Sequence, residues 1–239
     1  MEEILSKKDQ GQGVKVKEGI LLFEKKKFKE ALEIFMQLHK SNPYNYEYNY
    51  YLGLTYVNLG YFDLALNYLL YSSKDNKNYY ISVHSNMICG YIYTLRKEYK
   101  LAENCFREVL KVNPESVTAM VALAYVFEKT NRYDQSIVYL KKAMEIDPEN
   151  PRVLNALAYV YAEKEINLSE AVRLSRKAIS KKPDSPEILD TLAWVYYKKG
   201  EYIQALNEIK KALKLLPNNE EIQKHYKEIL SKVEEIERK

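Results

Sequence analysis

NPYNYEYNYYLGLTYVNLGY, residues 42–61, holds seven tyrosines, and Tyr44, Tyr46, Tyr48 and Tyr50 fall on alternate positions. A period of two is the mark of a half-buried strand. Alternating polar and aromatic residues also mark aggregation-prone low-complexity tracts. A third reading is helical, with the alternation accidental. The stretch alone does not choose among the three, but the rest of the chain does.

Self-similarity at a fixed period is the feature to seek first. Pro114, Pro148, Pro183 and Pro217 are spaced 34, 35 and 34 residues apart, and Pro43 lies 71 before Pro114. Gly19, Gly53, Gly90, Ala124, Ala158 and Ala193 repeat at 34, 37, 34, 34 and 35. A second small residue follows each by twelve or thirteen: Ala31, Ala65, Ala102, Ser136, Ala171 and Ala205. Four residues later stand Phe35, Leu69, Phe106, Leu140, Ser175 and Ile209, apolar except for Ser175. Six units result, at 12–45, 46–79, 83–116, 117–150, 151–185 and 186–219.

Each unit reads as two amphipathic helices joined by a short turn, as in NLGYFD, TNRYDQ and KKGEYI. The prolines follow the second helix, where they end it without removing a needed donor. The small residues, eighth and twentieth in a unit, let the two helices cross closely. Glycine inside a helix costs about 1 kcal/mol relative to alanine, so three at corresponding places imply that close approach is worth that cost.

This pattern resembles the tetratricopeptide repeat. The sixth unit carries it most fully, with Leu189, Leu192, Ala193, Tyr196, Tyr202, Ala205, Ala212 and Pro217 at signature places. The first is degenerate, with Lys15 and Glu18 where apolar residues are usual, and the fifth has one extra residue near Ile166–Ser169. The resemblance implies an all-α fold, a right-handed α-solenoid of six helix-turn-helix units over residues 14–219. The opening stretch is then a helix from Tyr46 to Asn58, with Tyr56 in the core and Tyr50 and Tyr51 on other faces. Residues 80–82 are three extra residues between the second and third units. A helix capped by Asn219 covers the last repeat's apolar face (220–239), as a solenoid end requires. Its stripe is Ile222, Tyr226, Ile229, Leu230, Val233 and Ile236. Residues 1–13 read as a flexible tail.

Composition fits such a protein. The 239 residues are 46% hydrophobic and 29% charged, and a net charge of +4 comes from interspersed signs rather than a basic stripe. Nucleic-acid binding would need lysine and arginine gathered on one face. No apolar run reaches membrane-span length, no secretory segment opens the chain, and a cytoplasmic location is expected. Cys89 and Cys105 make no disulfide framework. His39, His84 and His225 fall in different units without metal-type spacing, and there is no phosphate loop or serine elbow. No metal, cofactor or catalytic constellation is expected, and the chain reads as non-catalytic.

The candidate function lies on a second face of the first helices, formed by the second, fifth, ninth and thirteenth residues of a unit. In tetratricopeptide proteins that face lines a concave groove where partner peptides bind. The ninth residues are Ile20, Leu54, Tyr91, Tyr125, Tyr159 and Trp194, so four consecutive repeats present an aromatic. Tyrosine and tryptophan combine contact area with a polar handle and are enriched at binding hot spots. The fifth residues add Tyr50, Met87, Val121, Asn155 and Asp190; an asparagine amide can both donate to and accept from a peptide backbone. The four aromatics Tyr91, Tyr125, Tyr159 and Trp194 and the five residues at the fifth places form the predicted site for an apolar or aromatic-containing peptide or helix. The competing structural reading has the aromatics wedged between helices, with the chain a scaffold assembling through its convex surface or ends. Domains of this kind that clamp a chaperone's C-terminal carboxylate carry lysine and asparagine where this chain has Val16 and Ile20, Tyr50 and Leu54, Met87 and Tyr91, so that partner is not expected. A related RNA-reading repeat uses residue types like Asn155 and Asp190, but Val16, Tyr50, Met87 and Val121 do not fit it.

Overall fold

The computed structural model describes the backbone of residues 2–238 and the side chains of residues 12–238. The expected N-terminal tail therefore lies almost wholly outside the described side chains. Among the described residues the chain is all α: thirteen helices and no strand. They run α1 (Glu2–Glu24), α2 (Phe28–Ser41), α3 (Tyr46–Asn58), α4 (Phe62–Ser72), α5 (Tyr79–Leu95), α6 (Tyr99–Val112), α7 (Val117–Lys129), α8 (Tyr133–Ile146), α9 (Pro151–Glu163), α10 (Leu168–Lys181), α11 (Pro186–Lys198), α12 (Tyr202–Leu215) and α13 (Glu220–Glu237). The helices fall into two compact units, Met1–Pro114 with α1–α6 and Glu115–Lys239 with α7–α13. Within each, every helix packs on the next, and each first helix also packs on the following one, α3 on α5 and α9 on α11.

One backbone device makes all six turns between paired helices. Lys26, Gly60, Lys97, Asn131, Glu165 and Gly200 all have φ between 54° and 83°. The next residue's N–H reaches back to a carbonyl in the last turn, as Tyr61 to Tyr56 (2.9 Å) and Arg132 to Phe127 (2.7 Å) do. This is the Schellman ending, in which a left-handed residue satisfies otherwise orphaned carbonyls. In the fifth repeat Asn167, with φ 49°, is a second left-handed residue before α10 and absorbs the extra residue. Side-chain caps sit mainly at the other end of the unit. Asn45, Asn78, Ser116, Asn150 and Asn219 each accept an N–H from the first turn of the helix they precede.

The small residues stand where the helices cross. A Cβ on Gly90 would lie 2.4 Å from Cε1 of the buried Phe106, and one on Gly53 would lie 2.5 Å from Leu69 Cγ. The clashing partners are the bulky residues four after the second small residue, so the first three repeats, with Gly19, Gly53 and Gly90, give up a methyl on one helix for a large side chain on the other. Gly90→Ala should therefore destabilise the first unit by about 1–3 kcal/mol through overpacking, although alanine is the better helix former. A denaturation midpoint at or above the wild type would contradict this crossing. At the corresponding place in repeat five Ser175 is fully buried, and its hydroxyl has no partner. Ser175→Ala should raise the second unit's stability by about 1 kcal/mol in a chemical melt, because a lone buried hydroxyl costs about that.

Two local expectations change. The three extra residues at 80–82 lengthen α5, which starts at Tyr79 and runs 17 residues where α3 runs 13. That added turn lays Tyr80 and His84 against Tyr50, with ring centroids 6.3 and 5.7 Å away. Tyr48, Tyr50 and Tyr56 are all buried, Tyr50 beside this turn and Tyr56 against Tyr68, so α3 is enclosed on more faces than its Tyr56 stripe implied. On α13 the buried residues are Ile222, His225, Ile229 and Val233, while Ile236 is 49% exposed. His225, not Ile236, completes the apolar stripe.

Candidate functional site

The predicted site residues separate into exposed and enclosed groups. In the first unit Tyr91 is 44% exposed, with its ring edge-on to Phe106 at 5.5 Å. Met87 is half-buried. Tyr50 is 3% exposed, and its hydroxyl shares a 2.6 Å hydrogen bond with His84 Nδ1. Burial, first, and then the Tyr80 hydroxyl push the Tyr50 phenol well above the ordinary tyrosine range. Tyr50 is a packing residue here, as the wedge reading would have it.

In the second unit the site takes shape. A cavity of about 270 Å³ opens between α7, α8, α9, α11 and the start of α13. Val121 and Tyr125 come from α7, Asn155 and Tyr159 from α9, and Asp190 from α11. Five predicted residues from three consecutive first helices thus line one space. Tyr125 is 45% exposed. Val121 and Tyr159 are partly buried against the unit's core. Small-molecule pockets run from about 300 to 1,000 Å³, so this volume suits one or two side chains better than a cofactor. Two polar atoms on its wall, Asn155 Oδ1 and Ser136 Oγ, are buried without a hydrogen-bond partner.

Asp190 and Trp194 are held in place by other residues. Asp190 is 6% exposed and accepts a 2.8 Å hydrogen bond from Nδ1 of the equally buried His225. Trp194 is 7% exposed. It stacks on His225 at 4.2 Å and on Tyr197 at 5.0 Å, and its indole N–H donates to Glu163 Oε1 at 2.6 Å. The row therefore grades from exposed Tyr125 through half-buried Tyr159 to buried Trp194. Stacked against α13, Trp194 closes the end of the row.

The mouth of the cavity carries charge that the aromatic pattern did not reveal. Lys129 Nζ lies 3.0 Å from Glu128 Oε1 and 5.1 Å from the centre of the Tyr125 ring. Burial pushes the Glu128 carboxyl up from its ordinary value; Lys129 opposes this, and the charges of Glu163 and Glu221 add to it. Burial also raises the Tyr159 phenol, and Glu163, Glu128, Glu221 and Asp190 raise it further. The surroundings are anionic. Glu187 and Glu163 stand at the second and thirteenth places of their units, on the face already singled out, and a search for aromatics alone passes over them.

The two cysteines lie on α5 and α6, in the first unit. Burial pushes the Cys105 thiol up to about 11 and Cys89 higher still, far from the lowered values of reactive thiols. Among the described residues no three His, Cys, Asp or Glu side chains stand close enough to hold a metal, and no helix is long and apolar enough to cross a membrane.

A family model described as "Psidin, N-terminal TPR repeats region" matches residues 91–222, more than half of the chain. The chain belongs to the tetratricopeptide-repeat family. Solved structures of such repeats share its fold. PilF of Pseudomonas aeruginosa superposes with a TM-score of 0.71 at 14% identity, over 92% of this chain and 98% of that one. A chain of the APC/C hetero-tetramer Cut9–Hcn1 gives 0.70 at 13% identity over 90% of this chain, which spans only 42% of that protein. YrrB, described as a TPR protein with an unusual peptide-binding site, gives 0.60 at 17% identity, over 81% of this chain and 97% of that one. No curated protein matches. At these identities the structural likeness speaks for the fold alone. In tetratricopeptide terms the cavity lies on the face of the first helices, where the ninth and fifth places of repeats four and five meet the fifth place of repeat six.

Proposed function

We propose that this tetratricopeptide protein is a non-catalytic interaction module, an adaptor or assembly factor that seats a partner's peptide or helix on the first-helix face of its second unit. The fold is a general protein–protein interaction module, and the specific reading rests on one observation. The cavity lined by Val121, Tyr125, Asn155 and Tyr159 leaves a buried Asn155 oxygen without a donor. Buried polar atoms are ordinarily paired, and a small turn of the Asn155 amide toward the space would let a partner's N–H supply what the fold does not. An apolar or aromatic side chain fills the space, Tyr125 and Tyr159 supply contact area, and Asn155 accepts from the partner's main chain.

The double variant Tyr125→Ala/Tyr159→Ala separates this role from a structural one. Tyr125 is largely open, so its loss should cost only about 0.5 kcal/mol of stability, and half-buried Tyr159 about 1–2 kcal/mol. Binding should fall by 2 kcal/mol or more, as for hot-spot aromatics. The measurements are a denaturant melt and the affinity of peptides selected from a displayed random library against the full chain. Unchanged affinity in the folded variant would overturn the groove reading and leave the scaffold in its place.

A further inference from the structure

The partner's chemistry follows from the charges around the cavity, on the premise that this cavity is where a partner binds. Seven carboxylates line the cavity or the adjoining recess between α7, α9, α11 and α13; Glu128, Asp190 and Glu228 are engaged with Lys129, His225 and Lys224, which leaves Glu163, Glu187, Glu220 and Glu221. Among the described residues none of the four has a cationic partner within 4.0 Å. Glu163 accepts from the Trp194 indole and Glu187 from the Ser185 hydroxyl. The two lysines at the same place are already engaged. Lys129 pairs with Glu128 at 3.0 Å, and Lys224 reaches Glu228 at 3.9 Å. The mouth is therefore anionic on a chain whose net charge is +4.

A surplus of acidic residues on an exposed helix would be ordinary solvation. Here it borders an apolar-walled cavity whose unpaired polar atoms point to an occupant. The Ser136 side chain is fully buried, and neither its Oγ nor Asn155 Oδ1 has a partner. The Asn155 oxygen calls for a hydrogen-bond donor, and the Ser136 hydroxyl for a donor or an acceptor. The carboxylates call for positive charge, and the space itself for an apolar group.

We propose that the second unit recognises a protein segment in which a lysine or arginine stands beside an apolar side chain. The apolar side chain enters the cavity between Tyr125 and Tyr159, and a turn of the Asn155 amide toward the space lets it accept from a main-chain N–H. The cation reaches the carboxylates of Glu163 and Glu221. Arginine fits best, because its guanidinium can serve two carboxylates at once and stack on an aromatic face. An acidic segment is rejected, since it would bring like charge to a partly desolvated mouth.

The test uses dodecapeptides selected from a displayed random library against the full chain at low salt. Synthetic copies are then titrated while the fluorescence of Trp194, the only tryptophan, is followed. Selected sequences should be enriched in arginine or lysine next to leucine, isoleucine or an aromatic. Their affinity should fall with added salt, as partly exposed charge pairs require. Glu163→Gln/Glu221→Gln should weaken binding about tenfold. Replacing the peptide's cation by glutamine should cost wild type a similar factor and the variant little more. Peptides that need Tyr125 and Tyr159 yet carry no excess of cations would overturn this inference and leave the groove reading intact. Peptides indifferent to both tyrosines, or a library that yields none, would overturn both.

Discussion

Ending the chain at Asn219 should cost the second unit roughly 3–6 kcal/mol and make it associate in solution. Ile222, Ile229 and Val233 are at most 4% exposed and close the face formed by α11 and α12. Burying such side chains is worth about 1.5–3 kcal/mol each. The backbone entropy of ordering α13 is offset by the helix's own hydrogen bonds as well as by these contacts, so the net loss is not the simple sum of the three burials. The loss left over is the apolar surface newly exposed on α11 and α12, together with an Asp190 stripped of His225. Against a domain stability of about 5–15 kcal/mol, that is enough to unfold the last helix pair a measurable fraction of the time. Hydrogen exchange should show α11 and α12 losing protection before α9. Light scattering should rise with protein concentration, because an uncovered solenoid end is adhesive. A truncated protein that stays monomeric with α12 fully protected would mean that α13 does not serve as the cap.

The repeat architecture was legible because close helix crossings leave a mark in composition. Gly53 and Gly90 are glycines because Leu69 and Phe106 occupy the space a methyl would need, and the same exchange recurs in phase. The end of α3 was legible for a similar reason: Gly60 supplies the left-handed residue that its Schellman turn uses. The tyrosines of the opening stretch are legible as helical and Tyr56 as core, but the burial of the face that carries Tyr50 is not. The count of three extra residues at 80–82 was visible. That they would lengthen α5 and lay Tyr80 and His84 over Tyr50 depends on packing between repeats, which local pattern does not encode.

The candidate site was legible in the members that stand at the fifth and ninth places of its repeats. Val121, Tyr125, Asn155 and Tyr159 share a periodic place, and periodicity finds them. The charges around them come from places scored as solvated surface. His225 escaped notice because a histidine on a predicted apolar stripe counts as a gap in it. Its spacing from Ile222, Ile229 and Val233 was the available signal, since all four lie on one side of α13.

His225→Ala should destabilise the second unit by about 3–5 kcal/mol, more than most single substitutions in the chain. The imidazole is 4% exposed, meets Asp190 Oδ1 at 2.8 Å and stacks on Trp194 at 4.2 Å. Its removal leaves a carboxylate 6% exposed with its hydrogen-bond donor gone, and stripping one member from a buried pair costs about 3–5 kcal/mol. The lost ring contact adds about 0.5–1.5 kcal/mol, which relaxation around the cavity partly offsets. Asp190→Ala should cost less, because the imidazole keeps its stacking on Trp194. Replacing both, by Asp190→Leu and His225→Phe, should recover much of the loss, since apolar groups of similar size can replace a buried pair without penalty. Trp194 reports the event directly: once its stacking partner goes, its emission should shift, while Tyr125 and the cavity's far wall remain. A cost below about 1 kcal/mol for His225→Ala, or a double variant no more stable than either single, would show that this pair does not fasten α13 to α11.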